Sequence, residues 1–190
     1  MKRILLINAN PKSNSLCKAM SHRYVEMAKQ KHQLKQVHIG DLTFNPDLPE
    51  GYDSSSDLED DLKAIQQKIL WATHIVFIVP IWWGGMPAKF KGLIDRIFLS
   101  GFAFEYDPKK HIPNKLLTGR TAQIIVTLDT PVFWYKWIQG NPIYKQLKRT
   151  ILDFVGIKNQ SINYFGPVIG SSEEQRERWL AKVGSLVPRY

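Results

Sequence analysis

The stretch Pro80–Phe104, PIWWGGMPAKFKGLIDRIFLSGFAF, decides the fold. Immediately before it, Ile75-Val76-Phe77-Ile78-Val79 is an unbroken apolar run of strand length, the pattern of a parallel strand buried on both faces. Within it, Phe90, Leu93, Ile94, Ile97 and Phe98 recur at i, i+3, i+4 spacing, and Pro87 stands where the start of a helix tolerates it. Strand and helix are joined by Trp82-Trp83-Gly84-Gly85. A connection that lifts aromatic rings and bare backbone over a strand end suits a flat aromatic ligand; the alternative is core packing around a tight turn.

Outward from this unit the same alternation repeats. Lys2–Asn8 reads as a strand and Ser15–Lys31 as a helix, with Leu16, Met20, Tyr24, Met27 and Ala28 on one face. Gln33–Ile39 is a second strand. Asp41–Ser56, with its prolines, glycine and serine triplet, is a surface excursion rather than a linker. Leu58–Trp71 is a second helix, its acidic first turn (Asp57, Glu59, Asp60, Asp61) matched to the helix dipole. Past the long loop Gly101–Leu117 come a fourth buried strand, Thr121–Leu128, and another long loop, Asp129–Pro142. A helix from Ile143 to Phe154, a fifth strand Ser161–Phe165 and a closing helix Glu173–Leu186 complete the chain. Strands alternating with helices predict a doubly wound α/β sheet, with residues 1–190 as one domain.

Bulk properties narrow the function. The 190 residues are 44% apolar without low-complexity segments, which predicts a globular protein. No apolar stretch reaches membrane-spanning length, and the short apolar run after Met1-Lys2-Arg3 lacks a signal-peptide cleavage site. One cysteine, Cys17, excludes an intramolecular disulfide and fits a reducing cytoplasm. The net charge of +9 is uneven: residues 1–108 hold 13 Lys/Arg against 12 Asp/Glu, and 109–190 hold 13 against 5. A basic half can signal nucleic acid, an anionic membrane surface or a phosphorylated ligand. Its bases (Lys109, Lys110, Lys115, Lys145, Lys148, Arg149, Arg176, Arg178) are scattered without a nucleic-acid-binding motif, so a solvated face is the reading and no nucleic-acid partner is expected. The same balance argues against an acidic electron carrier.

In such sheets ligands bind at the carboxyl ends of strands, which points to the loops after strands one, three and four. The first, Asn8-Ala9-Asn10-Pro11-Lys12-Ser13-Asn14-Ser15, lacks both glycine-rich nucleotide fingerprints. It still supplies hydroxyl and amide side chains, a lysine and a helix N-terminus, the components of a phosphate site; Ser13 or Ser15 as a plain N-cap is the alternative. The third, Thr127–Trp137, is aromatic-rich and suits either a wall over a planar substrate or a subunit interface. His22, His32, His38, His74 and His111 show no metal-ligand spacing, so no metal site is expected. Asp95-Arg96 reads as a structural ion pair or cap. Cys17, one turn into the first helix, is either dipole-activated or a small packed residue.

Three segments carry a resemblance: INANPKSNS after strand one, VPIWWGGMPAKFKGLIDRIFLSGFAFEY through the third unit, and LDTPVFWYKWIQGNP before KRTILDFVGI. Through them the chain resembles the flavodoxin-like NAD(P)H:quinone oxidoreductases, the DT-diaphorase and modulator-of-drug-activity group. The resemblance implies a flavodoxin-like three-layer sandwich with a five-stranded parallel sheet of order 2-1-3-4-5. It also implies a non-covalent flavin, FMN or FAD, with FMN favoured because a short chain leaves little room around an adenosine half. By position, Asn10, Ser13, Ser15, Leu16 and Cys17 approach the flavin phosphate. Pro80, Ile81, Trp82, Trp83, Gly84 and Gly85 line the ring, and Thr127, Leu128, Asp129 and Thr130 flank its other edge. Phe102 and Phe104 pack in the site of a paired subunit, and Trp134 stands on the substrate side.

The implied activity is cytoplasmic: NAD(P)H gives a hydride to the flavin, which passes it to a quinone or similar electrophile in ping-pong order, in a homodimer. Azo- and nitro-reductases differ only in acceptor. The rival implication is an ancillary regulatory subunit of a potassium efflux system, its basic half docked on a membrane-protein partner. One departure stands out. Where better-known members carry Thr-Gly-Gly, this chain has Leu128-Asp129-Thr130-Pro131, stiffer and acidic. Tyr135 is the candidate for assisted proton transfer, and Gln139 or Asn141 stands near the family's histidine.

Overall fold

The structure, a computed structural model, describes residues 1–52, 58–109 and 112–189. Ser54–Ser56 and Asp57 of the expected excursion and acidic turn, Lys110 of the basic half, and His111 lie outside the described residues. The elements run β1 (Arg3–Asn8), α1 (Leu16–Ala28), β2 (Gln33–His38), α2 (Asp60–Trp71), β3 (His74–Pro80), α3 (Ala88–Ile97), β4 (Phe104–Glu105), β5 (Asn114–Lys115) and β6 (Thr121–Thr127). Then follow α4 (Asp153–Val155), β7 (Lys158–Phe165) and α5 (Glu173–Ser185). The main sheet is wholly parallel in the order β2-β1-β3-β6-β7. Because β4 and β5 form a separate antiparallel pair, this is the expected 2-1-3-4-5 order of a flavodoxin-like fold.

The continuous apolar runs follow from double-sided burial. Leu5, Ile7, Phe77 and Val79 face one core with Leu62 and Ile65 of α2 and Phe90 and Leu93 of α3. Their neighbours Ile4, Leu6, Val76 and Ile78 face the other, with Met20 and Tyr24 of α1 and Val183 of α5. Successive strand side chains point to opposite faces, so a strand covered on both sides is apolar along most of its length, and its few buried polar residues need partners.

Four expectations need correcting. The loop Gly101–Leu117 contains the β4–β5 pair, too short to register as apolar alternation. The fifth strand begins at Lys158 rather than Ser161; its polar opening Lys158-Asn159-Gln160 lies at the sheet edge and crosses a bulge opposite Ala122/Gln123. The loop Asp129–Pro142 holds a π-helical turn, Trp134–Ile138, in which Gln139 N–H donates to Trp134 O at 3.0 Å. The helix expected from Ile143 to Phe154 is a π-helix, Tyr144–Leu152, that runs into α4. Wide helical turns of this kind shift side chains out of the 3.6-residue period, which is why the pattern did not disclose them.

Asp95 and Arg96 each form a structural ion pair, but with different partners. Asp95 accepts from Lys91 at 2.7 Å, and buried Arg96 donates to Glu59 at 2.7 Å and to Asn45 O. Arg96 thereby ties the excursion after β2 to α3. A Cβ at Gly92 would stand 2.4 Å from Pro46 Cβ, so only glycine permits this approach. Among the described residues no helix is long and apolar enough to cross a membrane.

His74 opens β3 fully buried, its Nδ1 2.7 Å from Thr121 Oγ1 and its Nε2 without a hydrogen-bond partner among the described residues. Burial, seconded by the charge of Lys2, pushes its pKa down from 6.5 to about 4. As pH falls the unfolded chain takes up this proton first, so the contribution is whole above pH 6.5 and drains between 6.5 and about 4. Lowering the pH from about 8 to about 5 is expected to cost about 2 kcal/mol through this side chain. Urea unfolding at both pH values, with His74→Gln losing that much of the dependence, checks it. A variant with undiminished pH dependence would assign the effect to other groups.

Candidate functional site

Three strand ends and their loops meet at the carboxyl edge of the sheet. After β1 the chain turns twice on its own asparagines: Asn10 N–H donates to Asn8 Oδ1 at 3.1 Å, and Lys12 N–H donates to Asn10 Oδ1 at 3.0 Å. Such turns suit Asn and need no glycine. They deliver Ser15 to the N-cap of α1, where its hydroxyl accepts from Lys18 N–H at 3.2 Å. In the first turn behind it, Leu16 and Cys17 carry N–H groups that no intrahelical carbonyl reaches.

After β3, Ile81 N–H donates to Thr127 O at 2.8 Å, and Trp82 and Gly85 exchange backbone hydrogen bonds at 2.9 and 3.0 Å. The central residues of this turn, Trp83 and Gly84, have φ of 50° and 79°. Two left-handed positions make it a type I′ turn, for which Asn-Gly is the usual choice. A tryptophan in the first place costs about 1–2 kcal/mol, and its side chain is fully exposed. Tyr135 holds this strained turn. Its buried hydroxyl donates to Gly84 O at 3.0 Å and accepts from Ile143 N–H at 3.0 Å. Burial pushes its pKa up to about 12.

After β6, Thr127 Oγ1 lies 3.2 Å from Cys17 Sγ. Leu128 N–H donates to Phe165 O at 3.1 Å, and Val168 N–H donates to Leu128 O at 3.1 Å. Ile169 N–H donates to Asp129 Oδ1 at 2.7 Å. The segment after β7 is therefore built into the site, although only the loops after strands one, three and four were expected there. Its signal was Gly166-Pro167, a turn directly after a strand; a Cβ at Gly166 would stand 2.3 Å from Leu128 O.

Two adjoining cavities result. The smaller, about 300 Å³, brings together Asn10, Ser15, Leu16 and Cys17 with Pro80, Ile81, Trp82, Thr127, Leu128 and Asp129. Lys12, Val168 and Ile169 complete its lining. The larger, about 680 Å³, is bounded by Ile81, Trp82, Trp83, Gly84, Leu128, Asp129, Thr130 and Gln139. Ser13 is exposed on the loop and, like Gly85, lines neither. Tyr135 lies behind the turn, and Trp134 is half-exposed outside the lining. Phe102 and Phe104 do not reach the cavities of their own chain. Leu117 N–H donates to Val155 O just before β7, which sets this region toward the opposite edge, and Phe104 packs edge-to-face on Phe154 and Tyr106 with ring centroids 5.0 and 5.4 Å apart. Among the described residues no group of His, Cys, Asp or Glu could hold a metal ion.

Cys17 is fully buried, and burial pushes its thiol pKa up against the smaller opposing pull of Thr127. This overturns the dipole-activated reading in favour of the packed one. Native Cys17 is expected to react far more slowly with a disulfide reagent than the unfolded thiol; equal rates would contradict its burial. Tyr135→Phe leaves Gly84 O and Ile143 N–H without their partner and is expected to cost about 1–3 kcal/mol in urea unfolding. No loss of stability would mean that the turn is held by other contacts.

Residues 2–186 match the family described as having a flavodoxin-like fold. Among curated relatives, the ribosyldihydronicotinamide dehydrogenase-like protein traD of Penicillium crustosum is 30% identical over 66% of this chain and 57% of its own length. An uncharacterized NAD(P)H oxidoreductase of Haemophilus influenzae is 27% identical over 86% of this chain and 83% of that one. An FMN-dependent NADH:quinone oxidoreductase of Caldicellulosiruptor saccharolyticus is 27% identical over 84% and 83%. The chain thus spans little more than half of the first relative, and most of the other two. Among solved structures, the protein Smu.1420 of Streptococcus mutans superposes with a TM-score of 0.84 at 27% identity, covering 97% of this chain and 98% of that one. The strand order, the loops gathered at the carboxyl edge and the match over residues 2–186 together mean that the chain belongs to the flavodoxin-like fold family.

Proposed function

We propose that this chain is an NAD(P)H-dependent oxidoreductase that holds FMN at the carboxyl edge and reduces a quinone or similar electrophile, with residues 1–190 as one flavin-binding domain. The observation that carries the reading is the pair of adjoining cavities, one floored by the start of α1 and the other by an exposed, strained tryptophan turn. The name of the FMN-dependent quinone oxidoreductase relative supports the choice of cofactor and acceptor.

The donor set fits a flavin mononucleotide. The smaller cavity offers Lys12, Asn10 and the first-turn N–H groups of Leu16 and Cys17, which suit a phosphate because dipole, donors and cation act together. The larger offers the indoles of Trp82 and Trp83 and the N–H groups of Trp83 and Gly84, left outside the hydrogen bonds that close the turn. An indole on a ring face and N–H groups at a ring edge are what a flat heterocycle with carbonyls requires. When bound, the flavin supplies the chemistry, accepting a hydride from NAD(P)H and then yielding it to the second substrate in ping-pong order.

The chain's own work is positioning and electrostatics. Backbone N–H groups of the Trp83-Gly84 turn stabilise negative charge that develops at the ring edge. Tyr135 serves as a positioning residue, because both capacities of its hydroxyl are committed to Gly84 and Ile143. Phe102 and Phe104, turned away from their own cavities, complete those of a second copy in a homodimer.

The purified protein is expected to show a flavin absorption spectrum after incubation with FMN, to bleach with NADH or NADPH, and to recover on adding a quinone. A protein that takes up neither FMN nor FAD would sink the reading. Trp83→Ala is expected to weaken FMN retention or raise the acceptor KM by roughly tenfold. If neither moves, Trp83 has no part in the site.

A further inference from the structure

The first loop is tied to the sheet by a side chain that lines neither cavity. His38, the last residue of β2, is buried and sits directly opposite Asn8 in the parallel register. Its Nδ1 lies 3.0 Å from Asn8 Nδ2. Asn8 is itself fully buried, and its other amide atom, Oδ1, accepts from Asn10 N–H at 3.1 Å. A backbone N–H can only donate, so the atom facing Asn10 must be the amide oxygen and the one facing His38 the nitrogen. An amide nitrogen in turn only donates, so Nδ1 of His38 is an acceptor and the ring proton sits on Nε2. Only one tautomer remains.

From His38 the bonds run one way, into the loop. Asn8 Oδ1 holds Asn10, Asn10 Oδ1 accepts from Lys12 N–H at 3.0 Å, and Asn10 and Lys12 both line the smaller cavity. Each asparagine commits its oxygen to the loop, and the Asn8 amide nitrogen finds its partner outside it, in His38. The space is shaped to match. A Cβ at Gly40, in the 3₁₀ turn Ile39–Asp41 that leaves β2, would stand 2.5 Å from Pro11 O and 2.8 Å from His38 Nε2. A side chain there would push the imidazole and the loop apart. The surroundings keep the ring neutral: burial first, then Lys18 of α1, hold its pKa below 6.5. Lys89 of α3 adds to the depression, and Asp41 opposes it.

We propose that His38 is the positioning residue of the first loop: by accepting from Asn8 it fixes the two asparagine turns, and so sets where Asn10 and Lys12 present their donors to a phosphate. That the loop takes a phosphate rests on the proposed FMN site; the tautomer and the tie to β2 do not. Asn10 and Lys12 line the smaller cavity and not the larger, so the effect falls on the phosphate and spares the ring. Protonating Nδ1 would set one donor against another and release the Asn8 amide, which loosens both turns in sequence. Neutral His38 is therefore the form that holds the loop.

Two measurements test it, the first on the full chain without cofactor. Nitrogen-15 NMR at neutral pH is expected to show an unprotonated Nδ1 and a protonated Nε2 on His38. The Asn10 and Lys12 amide signals are expected to shift together with His38 as it titrates below pH 6.5. The opposite tautomer, or loop amides that do not follow the titration, overturns the proposal, and neither readout needs a variant that folds. The second measurement compares FMN with riboflavin, which lacks the phosphate. His38→Leu is expected to weaken FMN binding at least about tenfold and to leave riboflavin within about twofold. His38→Asn, whose Oδ1 falls where Nδ1 stood, is expected to recover most of the FMN affinity. Equal losses for both ligands, or a His38→Asn no better than His38→Leu, would assign His38 to the core alone and overturn the proposal. Native protein that binds neither flavin sinks the FMN reading, and the tie to the loop then stands or falls on the tautomer and the amide shifts.

Discussion

Parallel strands cannot be joined by a tight turn, because each strand must return to the same edge of the sheet before the next begins. In this chain that constraint sends α1, α2, α3 and the π-helix Tyr144–Leu152 across the two faces, and together with the closing helix α5 they cover every side chain of β3. It also sorts the connections: the turns that leave strands converge on one edge, and those that enter them lie on the other. The neighbouring ends of β1, β3 and β6 therefore deliver Asn8, Pro80 and Thr127 side by side. The two cavities are a consequence of this arrangement, filled in by what each loop carries.

Rigidity at that edge is uneven. The first loop is held mainly by local contacts, its own asparagine turns and the α1 cap, with Asn8 anchored to His38 at 3.0 Å. The Trp82–Gly85 turn is different, since an L-residue sits at φ 50° and the local backbone does not favour it. Strain of about 1–2 kcal/mol persists when the surroundings over-determine it, and here the surroundings are one buried phenol. Tyr135 comes from the far side of the site, on a π-helical turn that places it inward and its neighbours outward. The same winding thus fixes the cavity floor and creates the exposed aromatic face.

Much of this was legible in the residues. β3 and α3 declared themselves through an unbroken apolar run and a clean helical period, because double-sided burial leaves no latitude in composition. The phosphate-like loop was readable from Asn10, Lys12 and Ser15, and the side chains of Asn10 and Ser15 act within a few residues of themselves. What stayed hidden depends on long-range partners. Nothing local says that the hydroxyl of Tyr135 meets Gly84, fifty-one residues away, or that Ile169 donates to Asp129 across forty. The β4–β5 pair and the polar start of β7 escaped for a related reason, being edges whose residues are set by pairing rather than burial.

Asp129 is where the site departs most from a generic anion-binding edge. Its carboxylate lines both cavities, and Ile169 N–H holds one oxygen in place at 2.7 Å. Lys12 and the start of α1 favour negative charge in the smaller cavity, while a fixed carboxylate at the junction disfavours it there. A ligand anionic at one end and neutral in the middle satisfies both demands; one whose negative charge falls at the junction does not. Flavin mononucleotide in its oxidised form would meet that demand, with its phosphate in the smaller cavity and its neutral ring in the larger, and negative charge gained on the ring would be opposed by Asp129. The opposing donors are the N–H groups of Trp83 and Gly84 across the larger cavity. The balance between a strained turn on one side and a hydrogen-bonded carboxylate on the other would therefore set how readily a bound ring accepts charge, and Tyr135 would govern that balance because its hydroxyl donates to Gly84 O and fixes where the turn stands.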